Sequence, residues 1–228
     1  MAIMTDKKAY ENVISYTKNE ILSGTLKQGQ KLPPERELAE KLGVGRTSVR
    51  EALRVMEILG LIESIQGAGN YITGNFGKSI TEALSMMFLL QKTGGQKLNE
   101  VRACLELKAA ELAIDNITDE ETKSLEEILE KMEYARNEGE EASLDKQLHY
   151  EIASASGNTV LLQMLSSISV LVEDFIKDIR KSILSEEKNR TRLKQIHRDI
   201  VEAIINKDKT ALRSGLKRHS NIIDENLC

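Results

Sequence analysis

The fold class this sequence predicts is mainly α, with a single small β-hairpin, and three observations predict it. The 228 residues contain only two prolines, adjacent at Pro33 and Pro34, and aromatic residues make up 4% with no Trp. Helix interiors exclude proline and favour the Leu, Glu and Lys that recur throughout this chain. Apolar residues also return every three or four positions along most of its length, the helical period. Finally, the β-prone runs Leu61–Ile65 and Asn70–Ile72 flank Gly67-Ala68-Gly69, a hairpin pattern. Sandwiches, barrels and a doubly wound sheet do not fit this pattern.

Taken in order, Tyr10, Val13, Ile14, Thr17, Ile21 and Leu22 recur at helical spacing, and Gly24 supplies a stop. Pro34 ahead of Glu35 and Glu37 reads as a helix start, because proline loses nothing in the first turn and acids suit the positive end. Leu38, Ala39 and Leu42 form the buried stripe of that helix, and Gly43 ends it. A three-residue break separates it from a second helix, about Arg46 to Leu59, with Val49, Leu53 and Met56 inward and Gly60 closing. Helix, helix–tight turn–helix, then hairpin is the order of a winged helix-turn-helix. Ile80 to Leu90, between two glycine pairs, reads as a linking helix. From Leu98 onward the pattern is helical throughout: Leu98–Asn116, Asp119–Asn137, Ser143–Ala155, Thr159–Leu184, Glu186–Asn206 and Lys209–Asn226. Thr118 with Glu121 makes a capping box. Leu161, Leu165, Ile168, Val172, Phe175 and Ile179 make the seam of a central bundle helix. The expected organisation is a winged helix-turn-helix DNA-binding domain over residues 1–76, a linker helix over 77–95 and an all-α helical bundle over 96–228.

Composition bounds the function. Apolar residues at 40% and charged residues at 30% are enough for a buried core. Cys104 and Cys228 are far apart with no CxxC pairing, so a disulfide framework is not expected and a reducing cytoplasm is. No run approaches the ~20 apolar residues of a bilayer-spanning helix. The net charge of −4 hides a local excess: residues 26–54 hold 7 Lys and Arg against 4 Asp and Glu. In a helix-turn-helix the second helix enters a major groove with its first turn nearest the bases. That turn is Arg46, Thr47, Ser48 and Arg50. Arginine pairs bidentately with guanine, and hydroxyls reach base edges or phosphates. Arg36 is placed to reach the backbone, and Gly67 at the hairpin tip permits close approach to a minor groove.

The protein contains three histidines, His149, His197 and His219, each in an apolar stripe of a different bundle helix. Asp145 sits one turn before the first of them. Imidazole and carboxylate suit a borderline divalent ion such as zinc or nickel, and bundle interiors are where such sites are built.

PPERELAEKLGVGRTSVREAL followed by LGLIESIQGAGNYI closely resembles the N-terminal domain of GntR-family transcriptional regulators across residues 10–73. Carried over, that resemblance places DNA contacts at Arg36, Arg46, Thr47, Ser48, Arg50 and Gly67. Gly45 departs from the family's usual Ser or Asn, and Asn70-Tyr71 from its usual Thr and aromatic; the first bears on helix capping. DKQLH, QIHRDIVEAI and LKRHSNII are similar to the FCD ligand-binding domain that defines the FadR subfamily. The metal-containing branch of that subfamily implies an ion held by Asp145, His149, His197 and His219. EVRACLELKAAELA and SGNTVL resemble segments whose Arg102 and Asn158 would meet the effector. Without an effector, Arg102 would be an exposed arginine paired to Glu106 one turn on.

The expected function is a sequence-specific, DNA-binding transcriptional regulator: a dimeric, metabolite-responsive repressor on an inverted repeat. Its bundle would hold a metal ion and a small carboxylate. Two other readings compete with it. A metal-dependent hydrolase could also use three histidines, but no HExxH, nucleophile elbow or phosphate loop accompanies them. An effector-independent DNA-binding protein would keep the bundle as scaffold only.

Overall fold

The computed structural model describes residues 2–91, 95–135 and 137–226, with side chains described outside 2–8 and 173–185. The chain divides into two compact units, one through Ile80 and one from Thr81.

The first unit contains α1 (Ala2–Leu22), α2 (Glu35–Leu42), α3 (Arg46–Ile58), β1 (Ile62–Ile65) and β2 (Gly69–Ile72). Val13, Leu38, Val49, Ala52 and Met56 from the three helices close on Leu32, Ile62 and Ile72 to make its core. Leu22 points outward at 84% exposure, so the apolar stripe of α1 ends at Ile21. Pro34 is the N-cap of α2 rather than a first-turn residue, and its carbonyl accepts from Leu38 N at 3.0 Å. Gly43 then takes φ 62°, where a side chain is strained, and its N–H caps Ala39 O. Gly45 caps α3 with no side-chain hydrogen bond, as its departure from Ser or Asn implied. The hairpin is antiparallel with Ile62 opposite Ile72 and Ile65 opposite Gly69. Gly60, at φ 75°, turns the chain from α3 into β1, and a Cβ there would collide with the Asn75 carbonyl.

The second unit follows from α4 (Gly77–Gln91) through α5 (Gly95–Asn116), α6 (Asp119–Tyr134), α7 (Glu138–Ala155), α8 (Thr159–Ser185), α9 (Glu187–Ile205) and α10 (Lys209–Asp224). The capping box forms as expected: Glu121 N donates to Thr118 Oγ1, and Thr118 N to Glu121 Oε2. α6 stops at Tyr134, three residues short of expectation, and α7 begins five residues early. Asn137 explains the second shift, because its Oδ1 accepts from Glu140 N and caps the extra turn. The main core joins Ile114, Leu125, Ile128, Leu148, Ile196, Ile200, Ile204 and Leu212. In the α8 seam Leu165, Ile168 and Val172 are buried within the bundle; Phe175 and Ile179 lie outside the described side chains. Small residues bring the helices close. Ala109, Ala110 and Ala113 line α5, and a Cβ on Gly215 of α10 would sit 2.9 Å from Ile200 Cγ1 of α9. Among the described residues no helix is long and apolar enough to cross a membrane.

Candidate nucleic-acid interface and metal centre

In the first unit, burial of Val49, Leu53 and Met56 fixes which face of α3 is left outside. Arg46, Thr47 and Arg50 are exposed there, and Arg36 is exposed on α2. Two of these arginines are already paired: Arg50 Nε with Glu35 Oε2 at 2.8 Å, and Arg36 Nε with Glu40 Oε1 at 2.9 Å. Both pairs are solvent-exposed and therefore weak, so a phosphate or guanine can displace the carboxylate at small cost. Gly67 stands at the hairpin tip with φ 76° and open space around it. Ser48 corrects one expectation. Its side chain is 3% exposed and lies on the inner face of α3, so its hydroxyl is not presented with its neighbours. Successive helix positions are 100° apart, so Ser48, next to the buried Val49, falls at the edge of the inner face while Arg46, Thr47 and Arg50 fall outside it.

In the second unit α7, α9 and α10 each contribute a turn to one point. Asp145 and His149 share a face of α7 at i, i+4, while His197 and His219 come from α9 and α10. One ligand atom from each of the four residues can be chosen so that all lie within 4.8 Å of one another. Asp145 Oδ1 is 3.0 Å from His197 Nε2, 3.8 Å from His149 Nε2 and 3.9 Å from His219 Nε2. His149 Nε2 and His219 Nε2 are 3.3 Å apart. The close approach of α9 and α10 over Gly215 sets the 5.1 Å separation of the His197 and His219 rings.

Burial by itself would raise the Asp145 carboxyl, but the adjacent His197 and His219 imidazoles, with His149 behind them, hold it well below the carboxylate range. Burial and the neighbouring His149 push His219 down to about 4, so its imidazole is neutral at pH 7. His197 is 1% exposed; its Nε2 lies 3.0 Å from Asp145 Oδ1, and neither ring nitrogen has a hydrogen-bond partner. Polar atoms stranded in a core are costly. A cation held between an ionised carboxylate and neutral imidazoles would engage the nitrogen that faces Asp145, Nε2, and the donor set suits a divalent ion of borderline softness. The four residues fit a metal.

A cavity of about 270 Å³ opens against this cluster. Its lining includes the polar Arg102, Glu106, Asp145 and His149, the apolar Leu162, Leu165, Val170 and Val172, and Lys146, Tyr150, Ser166 and Ser169. Arg102 is paired with Glu106 at 2.6 Å as the spacing allows, and both are buried in the cavity lining, where the resemblance would have Arg102 meet an effector, rather than exposed as in the alternative without one. Asn158 lies apart from that lining. It is exposed, and its Oδ1 accepts from Val160 N and Leu161 N to cap α8. Sequence reasoning did not find Lys146, Tyr150, Ser166 and Ser169. The first two were legible as neighbours of Asp145 and His149, whereas the serines depend on how α8 packs.

The comparisons agree with this two-part reading. Residues 9–72 match the gntR family of bacterial regulatory proteins, and residues 97–221 match the FCD domain. The HTH-type transcriptional regulator LutR of Bacillus subtilis is 30% identical over 90% of this chain and 94% of its own length. The Uxu operon transcriptional regulator of Escherichia coli is 32% identical over 97% of this chain and 87% of its own. A solved GntR protein of Streptococcus agalactiae superposes with a TM-score of 0.68 at 28% identity, over 95% of this chain and 99% of that one.

Proposed function

The chain belongs to the GntR family of bacterial regulatory proteins and carries an FCD domain, and from that premise we propose a dimeric, metabolite-responsive repressor controlled by a metal-assisted carboxylate. It is a transcriptional regulator rather than an enzyme. In this reading residues 1–76 bind DNA, 77–95 link, and 96–228 sense and dimerise, in the cytoplasm. Arg46, Thr47 and Arg50 read an inverted repeat, with Arg36 on its backbone and Gly67 at a minor groove.

One observation carries the sensing half: Asp145 and His149, two of the four clustered residues, line one cavity together with Arg102. Those four residues would hold a divalent ion, zinc or nickel, and when bound the ion supplies a Lewis-acid anchor for an anion. Arg102 supplies the countercharge beside it. The apolar wall from α8 limits the effector to a small organic acid, and Ser166, Ser169, Lys146 and Tyr150 choose among acids. For the effector to regulate, it must bind the DNA-competent and incompetent states unequally.

Thermal-shift screening of small hydroxy, keto and dicarboxylic acids tests this, with and without zinc, followed by DNA-affinity titration with any acid that responds. A midpoint rise that needs both zinc and the acid, together with altered operator affinity, is expected. An acid response indifferent to zinc and to Arg102→Ala sinks the reading.

A further inference from the structure

Glu106 is an acid inside a cavity built to take an anion, and a single one of its oxygens faces both halves of the anion site. Its Oε1 accepts from Arg102 Nε at 2.6 Å and lies 3.4 Å from His149 Nδ1. The side chain is buried, and α5 holds it rigidly one turn from Arg102. Resting on the metal reading above, we propose that Glu106 is a positioning residue that holds His149 in its Nδ1–H tautomer, presents Nε2 to the metal and ties that histidine to Arg102.

The argument is one of proton bookkeeping on a ring. A neutral imidazole has one N–H and one lone pair, and which nitrogen carries the proton is set by the partner of the other. A carboxylate oxygen near Nδ1 can only accept, so the proton is favoured there. Nε2, the nitrogen facing Asp145 and His219, then carries the lone pair. In the metal-free protein the 3.3 Å contact between His149 Nε2 and His219 Nε2 then has His219 as donor, and His219 shifts that proton to Nδ1 before its own Nε2 can ligate an ion. Without Glu106 either tautomer of His149 is available, and a fraction of the protein presents N–H to the ion. Carboxylates behind ligating histidines also raise ligand basicity, and removing such partners typically weakens metal binding about 10–100-fold. Because Oε1 also receives Arg102 Nε–H, an anion that draws on the guanidinium acts on the same oxygen that orients His149. This makes Glu106 the shared contact of effector arginine and metal ligand.

The test uses full-length protein and zinc alone. Nitrogen-15 spectra of metal-free protein at neutral pH report the tautomer of each histidine, and three histidines are assigned by single substitution. In wild type, His149 is expected as the Nδ1–H form. In Glu106→Met, which keeps the length of the side chain but offers no oxygen acceptor, that preference is lost and calorimetric zinc affinity falls about 10-fold; Glu106→Gln, whose amide oxygen Arg102 holds in the same place, keeps the tautomer. His149 found with its proton on Nε2 in wild type overturns the proposal before any variant is made. So does an unchanged tautomer in a folded Glu106→Met, or undiminished zinc affinity. If wild type takes up no zinc while the tautomer still depends on Glu106, the metal reading fails and the positioning role stands.

Discussion

Arg46 and Arg50 stand on the exposed turn of α3, and each should weaken operator binding by roughly 1–3 kcal/mol when changed to Ala if it reads a base. Titration on operator and scrambled DNA separates base reading from phosphate contact, which would weaken both alike and lower the salt slope by about one unit. Unchanged operator affinity in both variants removes α3 as the recognition helix. The Ser48 side chain faces the core, so Ser48→Ala should leave sequence preference intact. In the cluster, His197 is the most buried ligand and the one with two unsatisfied nitrogens. His197→Ala should lose metal and acid response together, with the first unit still folded. Elemental analysis of protein purified without chelator checks it, and metal retained by the variant at wild-type stoichiometry counts against the four-residue site.

At the scale of elements, what brings two histidines together is a glycine that carries no chemistry. Gly215 lies one turn before His219 on α10, against Ile200, which is three residues beyond His197 on α9. Gly215→Val adds three carbons where even one is at 2.9 Å from Ile200, so α9 and α10 must separate or Ile200 must leave its rotamer. Overpacking of this kind costs about 1–3 kcal/mol. The expected result is a lower denaturation midpoint together with weaker zinc binding, because the separation of His197 and His219 is what the glycine sets. Full zinc affinity in a destabilised Gly215→Val would show that the two effects are independent. The α8 seam bears on assembly. Leu165 and Val172 are used inside the bundle, so they do not form an interface between copies.

For the whole molecule, an apolar surface open to self-association among the described residues is on α4, where Met86, Met87, Leu89 and Leu90 are exposed. Phe88 of the same helix packs with Leu98, Ile168 and Leu171, so Phe88 holds α4 to α5 and α8 while its neighbours stay outside. Exposed apolar clusters of that kind mark contact surfaces, so a dimer is expected at micromolar concentration. Leu89→Lys with Leu90→Lys should shift it toward monomer; light scattering that finds a monomer in wild type defeats the assignment. Stability should also respond to metal and acid. Metal at a hundred times its Kd adds about 2.7 kcal/mol, and chelation removes it. In the chelated protein His219 is held down to about 4, below the ordinary histidine value of 6.5. Between those two values the unfolded chain takes up a proton that the folded chain refuses, so stability falls as pH drops through that window. The depressed Asp145 carboxyl continues the loss below its ordinary value of 3.8, because its stabilisation is present above that value and lost as it protonates. Unfolding midpoints from pH 7 to 4, compared with His219→Ala, measure the slope, which the variant should reduce.

The sequence by itself determined the two-part order of this protein, most helix positions, the hairpin and the four residues of the cluster. Those features rest on local rules: a 3.6-residue apolar period, Gly43 and Gly60 at positive φ, Thr118 with Glu121, and three histidines in otherwise apolar stripes. Local rules do not decide which of two adjacent polar residues faces inward, and there the tertiary structure ruled. Ser48 was taken into the core beside Val49, and Asn158 was spent on capping α8. Arg102 with Glu106 is an ordinary surface pair by spacing, yet α7 and α8 close over it and make it the floor of a cavity. Whether an i, i+4 ion pair lies in water or in a binding site depends on what packs against that face, and the packing partners, Asp145 to Val172, lie about 40 to 70 residues away, a distance over which no periodicity in the chain carries information.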